Sequence, residues 1–192
     1  EVDTQANKIA KATLVIEDGD KADCQFPICD SDVFAIGENI CIKAGYGQEL
    51  STVFEGIIIK KGLCTKYHTD ATLVIECRHA AYRTTLVPRT RSFSEKTDAD
   101  AIKEILEEYS LLKSTVSISS ASASPPAHET LLQQEVTDWD FIVLRAEANG
   151  YVVINGQEDH KLTVAPPNLT QSAAATLAYG QEIIDMDVHM DA

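Results

Sequence analysis

The stretch that most constrains this chain is Thr137–Asn155, T-D-W-D-F-I-V-L-R-A-E-A-N-G-Y-V-V-I-N. Thr137 is a good helix N-cap, and Asp138 and Asp140 put negative charge in a first turn whose N–H groups lack partners. Trp139, Ile142, Val143 and Ala146 then recur at i, i+3, i+4 and i+7, one stripe of a helix. Asn149-Gly150 is a stop, because glycine enters the left-handed conformation without a Cβ clash. Tyr151–Ile154 follows as a β-branched and aromatic run, closed by Asn155-Gly156, a pair suited to a type I′ hairpin turn. The stretch reads helix, turn, strand, hairpin, and the chain's one Trp is expected in the core of its domain.

Upstream the grammar is that of strands. Lys11–Glu17 reads as a strand ended by Asp18-Gly19-Asp20. Cys24–Phe34, with Pro27 and several Asp and Ser residues, reads as loop. Ile40–Ala44 alternates and runs into Gly45-Tyr46-Gly47. Val53–Lys60 is a strong strand in which Gly56 signals a bulge or a close approach of another backbone. Leu73–Arg78 and Tyr82–Val87 make two more. Strands at this spacing, with no helical pattern between them, predict an antiparallel barrel or sandwich over residues 1 to about 90.

The character changes at Pro88. Arg89–Lys96 is basic and polar and reads as a connector. Thr97-Asp98-Ala99-Asp100 repeats the T-D-x-D logic of Thr137 and opens a helix over about Asp98–Ser110, with Ile102, Ile105, Leu106 and Tyr109 as its stripe. Val116–Ile118 reads as a short strand and Ser119–Pro126 as a low-complexity surface loop. Leu162–Ala165 is the second hairpin strand and Asn168–Thr176 a polar loop. Ile183–Met190 alternates as a terminal strand in need of a partner.

Sixteen basic residues against thirty acidic ones leave a net charge of −14. That balance argues against nucleic acid or an anionic membrane as main partner, since both call for clustered Lys and Arg, and no stable membrane insertion is expected. No apolar run approaches the roughly 20 residues of a membrane span. The start at Glu1 shows no signal-peptide pattern, which fits a chain trimmed or cut from something larger. The five cysteines, Cys24, Cys29, Cys41, Cys64 and Cys77, lie in the first half and read as reduced, buried thiols of a cytosolic protein.

Candidate chemistry is thin. His128-Glu129 begins an H-E-x-x-H zinc motif, but position 132 is Leu. Gly45-x-Gly47 meets Leu50 where a dinucleotide fingerprint needs glycine. Cys64, His68, Cys77 and His79 have the residue types for zinc, yet Cys64-x3-His68 straddles a strand end and lacks the usual knuckle spacing. Asp138 and Asp140 are explained as helix N-terminal charges, and Glu147 falls on another face. Asn168-Leu169-Thr170 is a glycosylation sequon without an export signal. No catalytic residue, cofactor or metal is therefore expected. The rival readings from other classes are a cell-wall or peptide hydrolase using His128 and the carboxylates near Thr137, and a small zinc-stabilised adaptor.

Six segments in order carry a resemblance over nearly the whole chain: F-P-I-C-D-S-D-V-F-A-I-G (Phe26–Gly37), I-C-I-K-A-G-Y (Ile40–Tyr46), V-F-E-G-I-I-I-K-K-G (Val53–Gly62), L-V-I-E-C-R (Leu73–Arg78), T-D-W-D-F-I-V-L-R-A-E-A-N-G (Thr137–Gly150) and M-D-V-H-M-D-A (Met186–Ala192). Together they resemble the N-terminal region of the Rhs-element Vgr proteins, the valine-glycine repeat (VgrG) spike proteins of type VI secretion. The resemblance implies a fold like the hub of contractile phage baseplates, α+β but mostly β. A tube-type antiparallel β-barrel over 1–92 would be followed by an inserted α+β domain over 93–180, and 181–192 would be the first strand of a truncated second barrel. Family members usually start one strand region earlier and continue into a neck and a β-helical needle that are absent here.

The implied role is structural: a homotrimer in the full-length protein, docked on a hexameric inner-tube protein, carrying the puncturing spike and possible effector or adaptor proteins. The implied location is the cytoplasm during assembly, then export through the injection apparatus. A phage or phage-like tail hub is the nearest alternative. The residues expected to matter are architectural: Phe54, Ile57 and Ile59 in the barrel, Ile105 in the first helix, and Trp139, Ile142 and Val143 in the inserted domain.

Overall fold

The structure is a computed structural model. It describes residues 1–192 except 20–24, 48, 66–70, 113–115, 119–126, 168–171, 173–175, 177 and 181–192, and the backbone alone at 116–118.

Five strands form one antiparallel sheet: β1 (Val2–Asp3), β2 (Lys11–Glu17), β3 (Asn39–Tyr46), β4 (Glu49–Cys64) and β5 (Thr72–Arg78), in the order β1-β2-β5-β4-β3. Alternation sets its two faces. Ala12, Leu73, Ile75 and Cys77 point inward with Phe54 and Ile58, and Leu14, Ile16, Ile40 and Ile42 pack beside them. Each fully buried aliphatic of this kind contributes about 1.5–3 kcal/mol relative to exposure. The sheet curls as a half-barrel, and β1 and β3 are its edges among the described residues.

A bulge corrects one expected core residue. Ile58 pairs with Cys77 but Lys60 pairs with Glu76, so Ile59 falls between two rungs of the ladder. The extra residue breaks the alternation: Ile57 and Ile58 are both buried, and Ile59 is only half-buried. Gly56, just before it, supports the other reading of that glycine. A Cβ there would collide with the Arg78 carbonyl oxygen and approach the Phe54 ring to 2.7 Å.

The segment expected to be loop after β2 contains a one-turn helix, α1 (Pro27–Asp30), and a 3₁₀ turn, Asp32–Phe34. Its N-terminus is held from a distance. Buried Asp18 accepts from the Ile28 N–H at 3.0 Å and the Cys29 N–H at 2.6 Å, satisfying two orphan donors. Ile28, Cys29 and Phe34 pack against the sheet's core.

Tyr82–Val87, expected as a strand, is largely a 3₁₀ helix, Ala80–Thr85. The His79 ring accepts from the Ala81 N–H at 3.2 Å and the Thr84 hydroxyl donates to the Ala81 carbonyl at 2.7 Å. These local bonds compete successfully with a ladder. The expected connector Arg89–Lys96 is instead part of β6 (Pro88–Lys96), which pairs antiparallel with β8 (His128–Thr137). Neither strand shows enough apolar alternation to announce itself.

The remaining elements are α2 (Asp98–Glu107), β7 (Val116–Ile118), α3 (Asp138–Ala148), β9 (Val152–Asn155) and β10 (Leu162–Ala165), with a small sheet of order β7-β10-β9. They share a second core. Ala80, Ala81, Phe93, Ile102, Ile105, Leu106, Trp139, Phe141, Ile142, Val153 and Leu162 lie within it. Val143 is half-buried at its margin, while Phe141, outside the expected stripe, is buried and stacked on Phe93 at 5.7 Å. The buried arc of α3 is wider than one stripe because the 3₁₀ helix, α2, β8 and β9 all touch it.

α3 ends as its sequence promises. Gly150 has φ +68°, the Tyr151 N–H donates to the Ala146 carbonyl at 2.8 Å, and the Gly150 N–H donates to the Glu147 carbonyl at 2.9 Å. This is the paired bonding of a Schellman end. The following hairpin is longer than a two-residue turn: Asn155 pairs with Leu162, and residues 156–161 form the loop. Finally, the segment before β2 straps the two parts together. Asn7 and Val153 exchange hydrogen bonds, both 2.8 Å, and the Asn155 side chain donates to the Lys8 carbonyl at 2.7 Å. The expected terminal strand Ile183–Met190 and the 119–126 loop lie outside the described residues.

Candidate assembly surface

The polar residues singled out by sequence are drawn into separate structural tasks. His128 Nε2 lies 3.2 Å from an Asp98 carboxylate oxygen. Asp98, at the start of α2, also accepts from Arg145 Nε at 2.6 Å and Asn149 Nδ2 at 2.8 Å. Burial alone would raise its pKa, but hydrogen bonds from Arg145, Asn149 and His128 outweigh that and bring it down to about 2. The clasp thus ties α2 to the last turns of α3.

Asp138 holds the equivalent position in α3 and is completely buried. It accepts from Gln133 Nε2 at 2.8 Å and the Tyr109 hydroxyl at 2.6 Å, and it forms an ion pair with Arg91. Burial opposes its ionisation, and the bonds from Gln133, Tyr109 and Arg91 prevail, so its pKa is lowered. Gln133 is itself fully satisfied, accepting from Arg91 Nε at 2.8 Å and donating to the Val136 carbonyl at 3.0 Å. A buried network completed in this way makes one packing arrangement rigid.

Capping falls to the other residues of each T-D-x-D. Thr97 accepts from the Asp100 N–H and Thr137 from the Asp140 N–H, each at 3.1 Å. Glu147 accepts from Asn7 Nδ2 at 2.9 Å. The acids near Thr137 therefore diverge: one inward, one at the cap, one on the strap. Sequence reasoning registered the repeat at 97 and 137 but missed that its first Asp turns inward, since burial depends on Arg91, Gln133 and Arg145 arriving from elsewhere.

The Cys/His set is spread out. Cys64 pairs with Thr72 at one end of β5, whereas Cys77 pairs with Ile58 near the other. Five residues of strand separate those rungs, roughly 17 Å at about 3.3 Å per residue. Cys64 is exposed, Cys77 and His79 are buried, and His68 lies outside the described residues. No group of three or more metal-type side chains forms among the described residues.

The surface that stands out is the β3–β4 hairpin. β5 pairs with β4 only from Ile57 onward, so between Glu49 and Gly56 the ladder partner of β4 among the described residues is β3 alone. The hairpin continues past the sheet as an arm two strands wide. Its root is packed through Ile40, Ile42 and Phe54, but from Lys43 to Ser51 every described residue is exposed. The apolar tip residues are Tyr46, 98% exposed, and Leu50, 59% exposed. Two-stranded hairpins are marginal in water without a packed face, and an unpaired strand edge is a template for another chain.

Residues 1–192 match the family described as Alg8_N, the Alg8 N-terminal domain. The chain belongs to that family. No curated protein matches this chain. Solved structures do share its fold. A tail protein from Neisseria meningitidis MC58 aligns with TM-score 0.65 at 17% identity, over 92% of this chain and 48% of that one. An E. coli protein described as a component of the type VI secretion system, with structural similarity to the T4 bacteriophage tail proteins gp27 and gp5, aligns with TM-score 0.65 at 12% identity over 88% and 47%. A prophage MuSo2 43 kDa tail protein from Shewanella oneidensis gives TM-score 0.53 at 9% identity over 85% and 46%. The domain thus shares the mostly-β α+β fold of these chains, and it spans about half their length.

Proposed function

We propose that this domain is a structural part of the hub of a contractile injection apparatus, one that docks on an inner tube and carries a puncturing spike. The observation that carries the reading is the two-stranded β3–β4 arm, with edges unpaired among the described residues and exposed Tyr46 and Leu50 at its tip. An arm of this kind is stabilised by adding its edges to a neighbouring subunit or ring. The fold it shares with phage tail proteins and with a type VI secretion component supports the same role. The work is mechanical. The two carboxylate clasps keep the second core rigid while the arm mates with its neighbours, and sheath contraction drives the assembly outward from the cytoplasm.

The test is light scattering of the longer chain containing this domain, alone and mixed with its tube protein. A trimer that binds tube rings is expected, and Tyr46→Ser with Leu50→Ser should weaken that binding without unfolding the domain. A persistent monomer indifferent to the tube overturns the proposal. A phage-type tail hub is the second reading, favoured by the tail-protein likenesses. Sequence beyond Ala192 separates the two, because a β-helical needle follows in a secretion spike.

A further inference from the structure

Across the outer face of the sheet, one row of residues carries an uneven charge. Asp3, Lys11 and Arg78 stand opposite one another on β1, β2 and β5. Asp3 forms an ion pair with Lys11 at 3.2 Å. Arg78 directly faces Lys11, and like charges in opposed positions destabilise a sheet. Among the described residues the Arg78 guanidinium forms no hydrogen bond or ion pair, and Glu76, an acid it feels through charge, is held by Lys60. This happens in a chain of net charge −14, where acids are plentiful.

The row opens onto a cleft of about 440 Å³ where the sheet meets the second core. Lys8, Lys11 and Arg78 line it against one acid, Asp3, while Ile9, Tyr82 and Trp139 add apolar surface. The Lys8 ammonium is fixed by Gln5 Oε1 at 2.7 Å, and Gln5 also donates to Asp3 at 3.0 Å. The cleft therefore brings cationic and aromatic side chains together. Its volume falls within the range of pockets that hold whole ligands rather than a lone ion.

We infer that this cleft binds an acidic peptide segment of a partner protein, with a carboxylate on Arg78 and Lys11 and a neighbouring apolar side chain against Trp139 and Tyr82. A guanidinium presents a fork matched to a carboxylate, and the occupant would relieve the Lys11–Arg78 opposition. This site lies on other elements than the β3–β4 arm and does not depend on the hub reading.

Trp139 is the chain's single tryptophan and lines the cleft, so its fluorescence responds to an occupant there. The full domain is titrated with a short blocked peptide of alternating Glu and Leu, with its Gln counterpart, and with inorganic phosphate, using calorimetry and fluorescence together. Saturable binding of the Glu peptide that moves Trp139 emission and weakens with added salt is expected. Arg78→Gln, at a half-exposed position, should reduce affinity at least about tenfold, with Lys8→Gln a milder second variant and thermal unfolding unchanged. Equal binding of the Gln peptide, full competition by phosphate, binding that leaves Trp139 and the Arg78 variant unaffected, or no binding would each overturn the assignment.

Discussion

Arg145, in the last turns of α3, donates its Nε–H to the Asp98 carboxylate in the first turn of α2 at 2.6 Å. The two residues lie on separate helices, and their side chains are 21% and 10% exposed. Removing one partner of a buried pair leaves the other charge uncompensated, which costs about 3 kcal/mol or more. Asp98→Ala should lower unfolding free energy by about that amount in urea titrations, while Thr97→Ala, losing only a cap, should cost about 1 kcal/mol. A cycle with Arg145→Met should show strong coupling between the two positions. The Asp98 pKa is depressed from 3.8 to about 2, so this stabilisation is complete above the unfolded value and is lost as pH falls through about 2.

His79 supplies a second pH dependence in a different window. Burial first, and the nearby His160 second, lower its pKa from 6.5 to about 4. The rings lie 6.1 Å apart, edge to face. Between those values the unfolded chain binds the proton and the folded one does not, so stability is full above pH 6.5 and falls as pH drops towards 4. The loss is on the order of 3 kcal/mol. Denaturant melts at steps across that range should show the decline in the wild-type domain. His79→Gln should be less stable near neutrality yet show a much flatter slope.

The cysteines should react unequally. Cys41 and Cys64 are exposed, whereas Cys77 is buried with its thiol pushed up to about 11 by desolvation. Only the thiolate reacts at a useful rate. Peptide mapping after brief alkylation should therefore find label on Cys41 and Cys64, with Cys77 modified only in denaturant.

Gly56→Ala should be among the most damaging small substitutions in the sheet. Its new methyl would meet the Arg78 carbonyl, a backbone group that cannot rotate away, and the ring of Phe54. The expected loss is about 1–3 kcal/mol, the usual cost of overpacking, measured as a drop in denaturation midpoint. Gly62→Ala, where a Cβ meets nothing within 4 Å, is the control.

Periodic features of the sequence translated well. Lys11–Glu17, α2 with its Thr97 cap, and α3 with its Gly150 stop all depend on local physics that a short window contains. The failures share a cause. β6 and β8 are polar on most positions and exist because each pairs with the other across some forty residues of chain, with Arg91 on Gln133 and Phe93 beside Leu131. The 3₁₀ helix after His79 has strand-like residues but satisfies its backbone locally. α1 depends on Asp18, outside its own sequence. Ile59 lost its core position to a one-residue bulge, which the run Ile57-Ile58-Ile59 cannot disclose. The clasps were half legible: the acids and caps could be read, but not the arginines that arrive to meet them.

The strap at Asn7 and Lys8 has a consequence for how the molecule fails. Its bonds to Val153, Asn155 and Glu147 join the segment leading into β2 to β9 and α3. A load on the half-barrel at β2 should therefore pass sideways into the second core before either core yields separately. The two cores should then melt as one calorimetric transition. Under an axial pull they should resist as a single body.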